Sequence, residues 1–285
     1  MRPPTFLRGE PCGTVTRVAE LRLTRIGGPT LLIELDGWRL LSDPTFDPPG
    51  RRYSFGLGTS SRKTAGPALS TDELGAVDAV LVSHDHHADN LDDAGRGMLS
   101  SAPTVVTTAS GARRLVGRGA VSQDAVRGLV AGQVTRLESP GRPTLVVTAT
   151  PCRHGPPLSR PIVGDVIGFA IRRESEQRTA VWVTGDTVLY GAVHETAGTM
   201  DVDVAVVHLG AVRFGITGPL RYSMDGAAAV TLVRELGPRV AVPVHLDGWS
   251  HFSEGVDRAK SVVDATEPAL RERFRWLDLG VPTTV

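Results

Sequence analysis

The sequence predicts a mixed α/β fold in which two β-sheets pack face to face with helices outside, an αββα four-layer sandwich. Three observations favour this fold. Apolar runs typical of strands dominate both halves of the 285-residue chain, helical segments follow short groups of strands, and no shift in composition marks a linker. We therefore expect one domain spanning residues 1–285.

The first half of the chain is predicted to supply strands and short helices. Asp36 and Gly37 form a hairpin-turn signal between two strands, and Ser70 and Glu73 have the spacing of a helix capping box. The expected strands are residues 21–25, 29–35, 38–42, 77–82 and 104–107, and the expected helices follow Ser70 and cover residues 92–99 and 110–116.

Residues 44–70 are rich in Pro, Gly, Ser and Arg and show no clear period. A loop of this length in a compact domain is often functional. We therefore predict that residues 44–70 form a long active-site loop.

The second half repeats the same order of strands followed by helices. The expected strands are residues 144–148, 166–171, 180–183, 203–207 and 240–244, with a polar hairpin at 172–178. A capped helix is predicted over residues 225–236. A last helix is predicted over residues 253–265, with Ser253 as its N-cap.

Charge and composition narrow the class of function. Lys plus Arg and Asp plus Glu each number 31, so the chain has no net charge at pH 7. We expect neither a nucleic-acid nor a membrane partner, because both attract basic surfaces. The two cysteines give no disulfide framework, and neither a signal peptide nor a membrane span is apparent. A cytoplasmic location is therefore expected.

Histidine and aspartate are concentrated directly after the strand predicted at residues 77–82. His84, His86 and His87 fall within four positions, followed by Asp89 and Asn90. Imidazole and carboxylate groups that converge from a strand-end loop are typical of transition-metal sites. This cluster predicts a metal centre.

Four further residues of ligand type follow apolar strands within a few positions. They are His154, Asp186, His208 and His245. If these strands belong to one sandwich, their ends can meet at one edge of it. The repeated placement therefore predicts that several of these side chains join the cluster at His84.

The motifs resemble those of the metallo-β-lactamase superfamily, in particular its branch of ascorbate-6-phosphate lactonases and N-acyl phosphatidylethanolamine phospholipase D. The likeness runs from about Leu21 to Phe252, and five motifs match in order and spacing. They are Gly27-Gly-Pro-Thr-Leu-Leu-Ile-Glu, Leu41-Ser-Asp-Pro44, Val82-Ser-His-Asp-His, Thr184-Gly-Asp186 and Val242-Pro-Val-His245. The resemblance implies the αββα fold and a hydrolase that uses a metal-bound hydroxide on a small ester, lactone or phosphodiester.

The metal motif can be aligned with the family pattern His-x-His-x-Asp-His in two registers. The unbroken register makes His86 the second ligand and puts Asp89 where the last histidine should be. One inserted residue instead makes His87 and Asp89 the ligands and places Asn90 at the last histidine. We prefer the second register because it keeps Leu91-Asp92 in step with the family. The second metal position is altered in both.

Carried over by motif, the resemblance implies a first metal on His84, His87 and His154, with His86 as neighbour or alternate ligand. Asp186 would bridge to a second metal that Asp89 and His245 also hold. The candidate catalytic residues are Asp89, which would orient water, and His208 and His251, which would donate a proton. Zn is the first expectation for one or two divalent ions, with Mn or Fe as alternatives. A homo-oligomer, a non-catalytic binding protein on the same fold and, less favoured, a nuclease stay open.

Overall fold

The computed structural model describes residues 21–56 and 58–285. Strands in the part of the chain described are β1 (Leu21–Gly27), β2 (Thr30–Leu35), β3 (Trp38–Ser42), β4 (Arg52–Gly56), β5 (Thr59–Arg62), β6 (Ala79–Val82), β7 (Thr104–Thr108), β8 (Val126–Leu129), β9 (Val134–Leu137), β10 (Leu145–Pro151), β11 (Ile167–Arg173), β12 (Thr179–Val183), β13 (Val202–His208), β14 (Val240–Val244) and β15 (Thr283–Thr284). The helices there are α1 (Thr71–Leu74), α2 (Asp93–Met98), α3 (Ala109–Gly117), α4 (Arg160–Val163), α5 (Gly191–Thr199), α6 (Gly226–Leu236), α7 (Val256–Asp264) and α8 (Pro268–Arg271).

The strands form two large sheets and one separate hairpin. The first sheet has the order β15-β1-β2-β3-β6-β7-β8, and the second has the order β14-β13-β12-β11-β10-β9. Strands β10, β12, β13 and β14 run in one direction, since β10 and β12 are each antiparallel to β11, and β13 is parallel to both β12 and β14. Their carboxyl ends therefore lie at the same edge of the second sheet.

The main hydrophobic core lies between the two sheets. It joins side chains of the first sheet, such as Ile33 and Leu81, to side chains of the second, such as Phe169 and Val206, all fully buried. Helices α5, α6, α7 and α8 pack on the outer side of the second sheet. Helix α3 packs outside the first sheet, and Met98 of α2 packs against side chains of β1, β2 and β3. This arrangement confirms the predicted αββα sandwich.

Most predicted elements form where the apolar periodicity placed them. Strands β3 and β14 have the predicted bounds, and the other predicted strands differ by a few residues at their ends. Asp36 and Gly37 both adopt positive φ, of 49° and 84°, as a tight hairpin turn requires. Ser70 and Glu73 form the capping box of α1, and Asp225 caps α6.

Two predictions about local structure are wrong. The segment 44–70 is not loop throughout, because β4 and β5 form an antiparallel hairpin inside it. Ser253 does not cap the helix that follows. Its hydroxyl donates to the carbonyl of Ala211 at 2.5 Å, and α7 begins later, with Gly255 at the N-cap position.

None of the helices in the part of the chain that the structure describes combines the length and the apolar character that a bilayer crossing requires.

Candidate metal centre

Six buried side chains of ligand type meet where the strand ends converge. His84, His87 and Asp89 lie in the loop after β6, on the first sheet. The second sheet supplies the other three, after β10, β12 and β14 respectively: His154, Asp186 and His245. The strand ends of the two sheets lie at the same edge of the sandwich and bring together residues that lie up to about 160 positions apart in the sequence.

The first group consists of His84, His87 and His154. The Nδ1 atom of His87 lies 3.1 Å from Nε2 of His84 and 3.2 Å from Nε2 of His154. Three nitrogens bound to one tetrahedral ion at ~2.0–2.1 Å are separated by roughly 3.3 Å, which is the edge of such a tetrahedron. The three imidazoles therefore have the spacing of ligands to one ion.

The second group consists of Asp89, Asp186 and His245. Ligand atoms of the three lie within 4.8 Å of one another, and Nε2 of His245 is 3.4 Å from an oxygen of each carboxylate. Within the described residues, both Asp186 oxygens, Oδ1 of Asp89 and Nε2 of His245 are buried without a hydrogen-bond partner. Buried polar atoms left in this state require an explanation, and a bound cation supplies one.

The electrostatics of the two groups differ. Burial lowers the pKa of His87 to about 4 and that of His154 to about 3, so both imidazoles are neutral at pH 7 and offer a lone pair. Burial raises the pKa of Asp186 to about 7. Burial alone would lower the pKa of His245, but the carboxylates of Asp186 and Asp89 raise it to about 9. The second group therefore favours positive charge, which a divalent cation would supply.

Backbone carbonyls fix the orientation of two of the histidines. The Nδ1–H of His154 donates to the carbonyl of Tyr222 at 2.6 Å, and the Nδ1–H of His245 donates to the carbonyl of Leu209 at 3.1 Å. Each bond leaves Nε2 unprotonated in the neutral ring and directs it toward its group. Such outer partners are typical of histidines that bind metals.

His251 contacts the second group through Asp89. Its Nε2 lies 2.9 Å from Oδ2 of Asp89, and its Nδ1 lies 2.5 Å from the hydroxyl of Ser61 on β5. Because the carboxylate only accepts, the Nε2–H of His251 donates to Asp89. His251 thus connects the β4–β5 hairpin to a candidate metal ligand.

Asn90 lies beside the second group and brings an amide there. It is fully buried, and its Nδ2 donates to the hydroxyl of Ser83 at 3.3 Å. The same amide lies near Asp186 and lowers the pKa of that carboxyl, against the larger effect of burial. The Oδ1 atom of Asn90 is buried without a hydrogen-bond partner in the described region, so it is available to a cation.

The structure places His86 and His208 outside both groups. The side chain of His86 is 25% exposed, turns toward Asp85 and Arg114, and packs against Gly164. His208 is fully buried, with Nε2 3.4 Å from Oδ2 of Asp43. Asp43 in turn accepts a hydrogen bond from the backbone N–H of Ser83 at 2.7 Å. The proton-donor role of His208 stays a prediction, and its contacts place it behind the ligands.

An aromatic wall covers the centre, and sequence reasoning did not identify it. Phe55 of β4 lies 5.1 Å from the ring of His87 and 5.2 Å from that of His251, and Phe214 stacks on His251 at 5.3 Å. The alternation of Tyr53 and Phe55 with polar neighbours was the signal for this strand. No sequence pattern marked the carbonyl partners or Ser61.

Comparisons with known proteins identify the family of the chain. A family model described as a beta-lactamase superfamily domain matches residues 38–246. A UPF0173 metal-dependent hydrolase of Thermofilum pendens is 26% identical over 251 residues, which cover 86% of this chain and 92% of the relative. A second one, from Cupriavidus taiwanensis, is 27% identical over 88% of this chain and 79% of its own length.

Two solved structures share the fold. One is described as a possible metal-dependent hydrolase from Veillonella parvula, with a TM-score of 0.75 and 21% identity over 94% of this chain and all of the other. The other is an isothiocyanate hydrolase from Delia radicum gut bacteria, with a TM-score of 0.72 and 17% identity over 92% of this chain and 98% of the other. Since the family model spans most of the chain, the protein belongs to the beta-lactamase superfamily domain family, within the metallo-β-lactamase superfamily of metal-dependent hydrolases.

Proposed function

We propose that the protein is a metal-dependent hydrolase of a small ester, lactone or phosphodiester, with two neighbouring metal positions. The observation that carries this proposal is the pair of buried ligand groups at one edge of the sandwich. The likeness to the lactonase and phospholipase branch supports the substrate class. The names of the relatives support hydrolysis.

The residues divide into two ligand sets. The neutral imidazoles of His84, His87 and His154 suit Zn, whereas Asp89, Asp186 and His245 form a more oxygen-rich set. Metal ions held there would supply Lewis acidity and lower the pKa of water to about 7, so that a nucleophile is available at neutral pH.

The chain's own groups would then orient the reactants. Asp89 holds its carboxylate in place through the bond from His251, so one of its oxygens accepts from the imidazole while the other stays unpartnered. Where the second metal position is empty, this unpartnered Oδ1 would be free to orient the attacking water. Phe55 and Phe214 would keep bulk water away from the site, since they cover His87 and His251.

The proposal is tested by metal analysis and hydrolysis on the same preparations. Protein purified without added metal should contain at least one transition metal per chain and should cleave at least one of p-nitrophenyl acetate, a γ-lactone and bis-p-nitrophenyl phosphate. The double variant His84→Ala/His154→Ala should lose the metal and the activity. His194→Ala is the matched control, because this histidine is partly exposed and pairs with Glu235 at 2.6 Å, away from the centre.

The outcomes separate the competing functions. Full metal content in the double variant would show that the ligand assignment is wrong. Metal without hydrolysis of any of the three compounds would instead favour a binding protein on the same fold. Cleavage of RNA in preference to the small compounds would favour a nuclease.

A further inference from the structure

A cavity of about 500 Å³ adjoins the candidate metal centre, and His154 forms part of its wall. Much of the wall is apolar and includes Leu129, Val130, Val163 and Ile167. A concave site of this size next to reactive groups is the usual setting for a small ligand. The cavity therefore offers room for a small ligand beside His154, which is one of the six candidate metal ligands.

The positively charged side chains that line the cavity outnumber the negatively charged ones. Arg160 and Asp165 form an ion pair at 2.5 Å and neutralise each other. Arg153 also lines the cavity, and among the described residues its guanidinium has no carboxylate within ion-pair distance and its buried Nε has no acceptor. A buried donor without an acceptor is costly, so an oxygen acceptor on a bound ligand would be stabilised at this position.

Neighbouring groups fix the position of Arg153. Its backbone N–H donates to the hydroxyl of Thr187 at 3.0 Å, and its carbonyl accepts from the N–H of Val188 at 2.9 Å. Its guanidinium carbon lies 4.5 Å from the ring centre of Tyr190, in a cation–π contact. The charge is thus held in the wall, one residue before the candidate ligand His154.

We infer that this cavity binds the substrate of the proposed hydrolase and that Arg153 recognises an oxyanion on it. The substrate class is then a small compound with an apolar body and one carboxylate or phosphate group, apart from the bond that is cleaved. Arginine suits this role because its planar donors pair with two oxygens of either anion. This inference rests on the proposed function for the reaction, but anion binding by Arg153 can be tested without turnover.

The test is calorimetric titration of the full chain, loaded with the metal with which it purifies. The probes are hexanoate and hexyl phosphate, with the neutral hexanamide for comparison. Arg153→Gln should weaken binding of the preferred anion by about 10- to 100-fold, the range for a lost charged hydrogen bond, and should leave hexanamide binding unchanged. Arg153→Lys should restore part of the loss. Arg136→Gln is the control, because this exposed arginine lies outside the cavity lining and pairs with Glu174 at 2.7 Å, and it should change binding of either anion by less than about threefold.

The preferred anion distinguishes carboxylate from phosphate substrates, and either result supports the inference. Equal affinity of wild type and Arg153→Gln for both anions would overturn it, since the metals alone would then account for binding. Failure of the wild-type protein to bind either anion would also overturn it. Binding that depends on Arg153 in a protein without hydrolytic activity would keep the anion site and refute the hydrolase instead.

Discussion

Replacement of His87 by alanine should weaken the first metal position far more than replacement of its neighbour His86. The Nδ1 atom of His87 lies between the other two nitrogens of the group, at 3.1 and 3.2 Å, so its loss leaves two donors out of three. Loss of a partner that only supports a ligand costs ~10–100-fold in metal affinity. Loss of the ligand itself should therefore cost at least about 100-fold, or about 2.8 kcal/mol.

His86 supplies the matched control because it is the same residue type one position away. Its ring turns from the group toward Arg114 and packs on Gly164, so His86→Ala should change metal affinity by less than about threefold, the effect of a minor structural adjustment. The assay is competition with a chromophoric chelator, combined with elemental analysis of each variant. Thermal unfolding of the metal-free proteins would show that both variants fold.

The reverse order of effects would refute this reasoning and restore the unbroken register, with Asp89 in the place of the missing histidine. Equal losses in the two variants would mean that both rings reach the metals and that the geometry of the first group is incomplete.

Three further predictions follow from buried contacts. His251→Gln should lower the metal affinity of the second position by ~10–100-fold in a chelator titration, because Asp89 loses the imidazole that orients it. Unchanged affinity would show that His251 does not position Asp89. Lys63→Met should lower the free energy of unfolding in urea by ~3–5 kcal/mol, because it breaks a buried ion pair. The pair joins Lys63 and Asp92 at 2.7 Å, and the two side chains are 3% and 0% exposed. A loss under about 1 kcal/mol, the range of exposed ion pairs, would contradict this prediction. Asn90→His should raise the affinity of the weaker position for Zn, as two-site titration of the metal-free protein would show. Two equally tight Zn positions in the wild type would contradict that last prediction.

Sequence patterns identified the strand ends at which the candidate ligands lie. Strand β14 runs over residues that are apolar on both faces, and His245 follows directly, so periodicity and residue type gave its position. The same held for Asp186 after β12. Buried strands set the positions of both side chains, and the apolar runs of such strands are strong signals in a sequence.

The choice between His86 and His87 could not be made from periodicity, because consecutive histidines carry no local signal for direction. In the structure, tertiary packing places His87 with His84 and His154, whereas the ring of His86 packs against Gly164. The β4–β5 hairpin was missed for another reason. Only Tyr53 and Phe55 mark it among polar and glycine residues, and it packs on Trp249, which lies almost 200 positions later.

In the preferred register Asn90 stands where the family has a histidine, and this difference would change the donor chemistry of the proposed second position more than its charge. A neutral histidine and an asparagine both carry no charge, so the attraction of Asp89 and Asp186 for a cation is retained in either case. What is lost is a nitrogen donor, and the amide oxygen that replaces it is buried and unpartnered among the described residues. Carboxylate and amide oxygens suit Mn better than Zn, whereas the three imidazoles of the first position suit Zn. The physical argument therefore favours two positions of unequal metal preference over the loss of one of them.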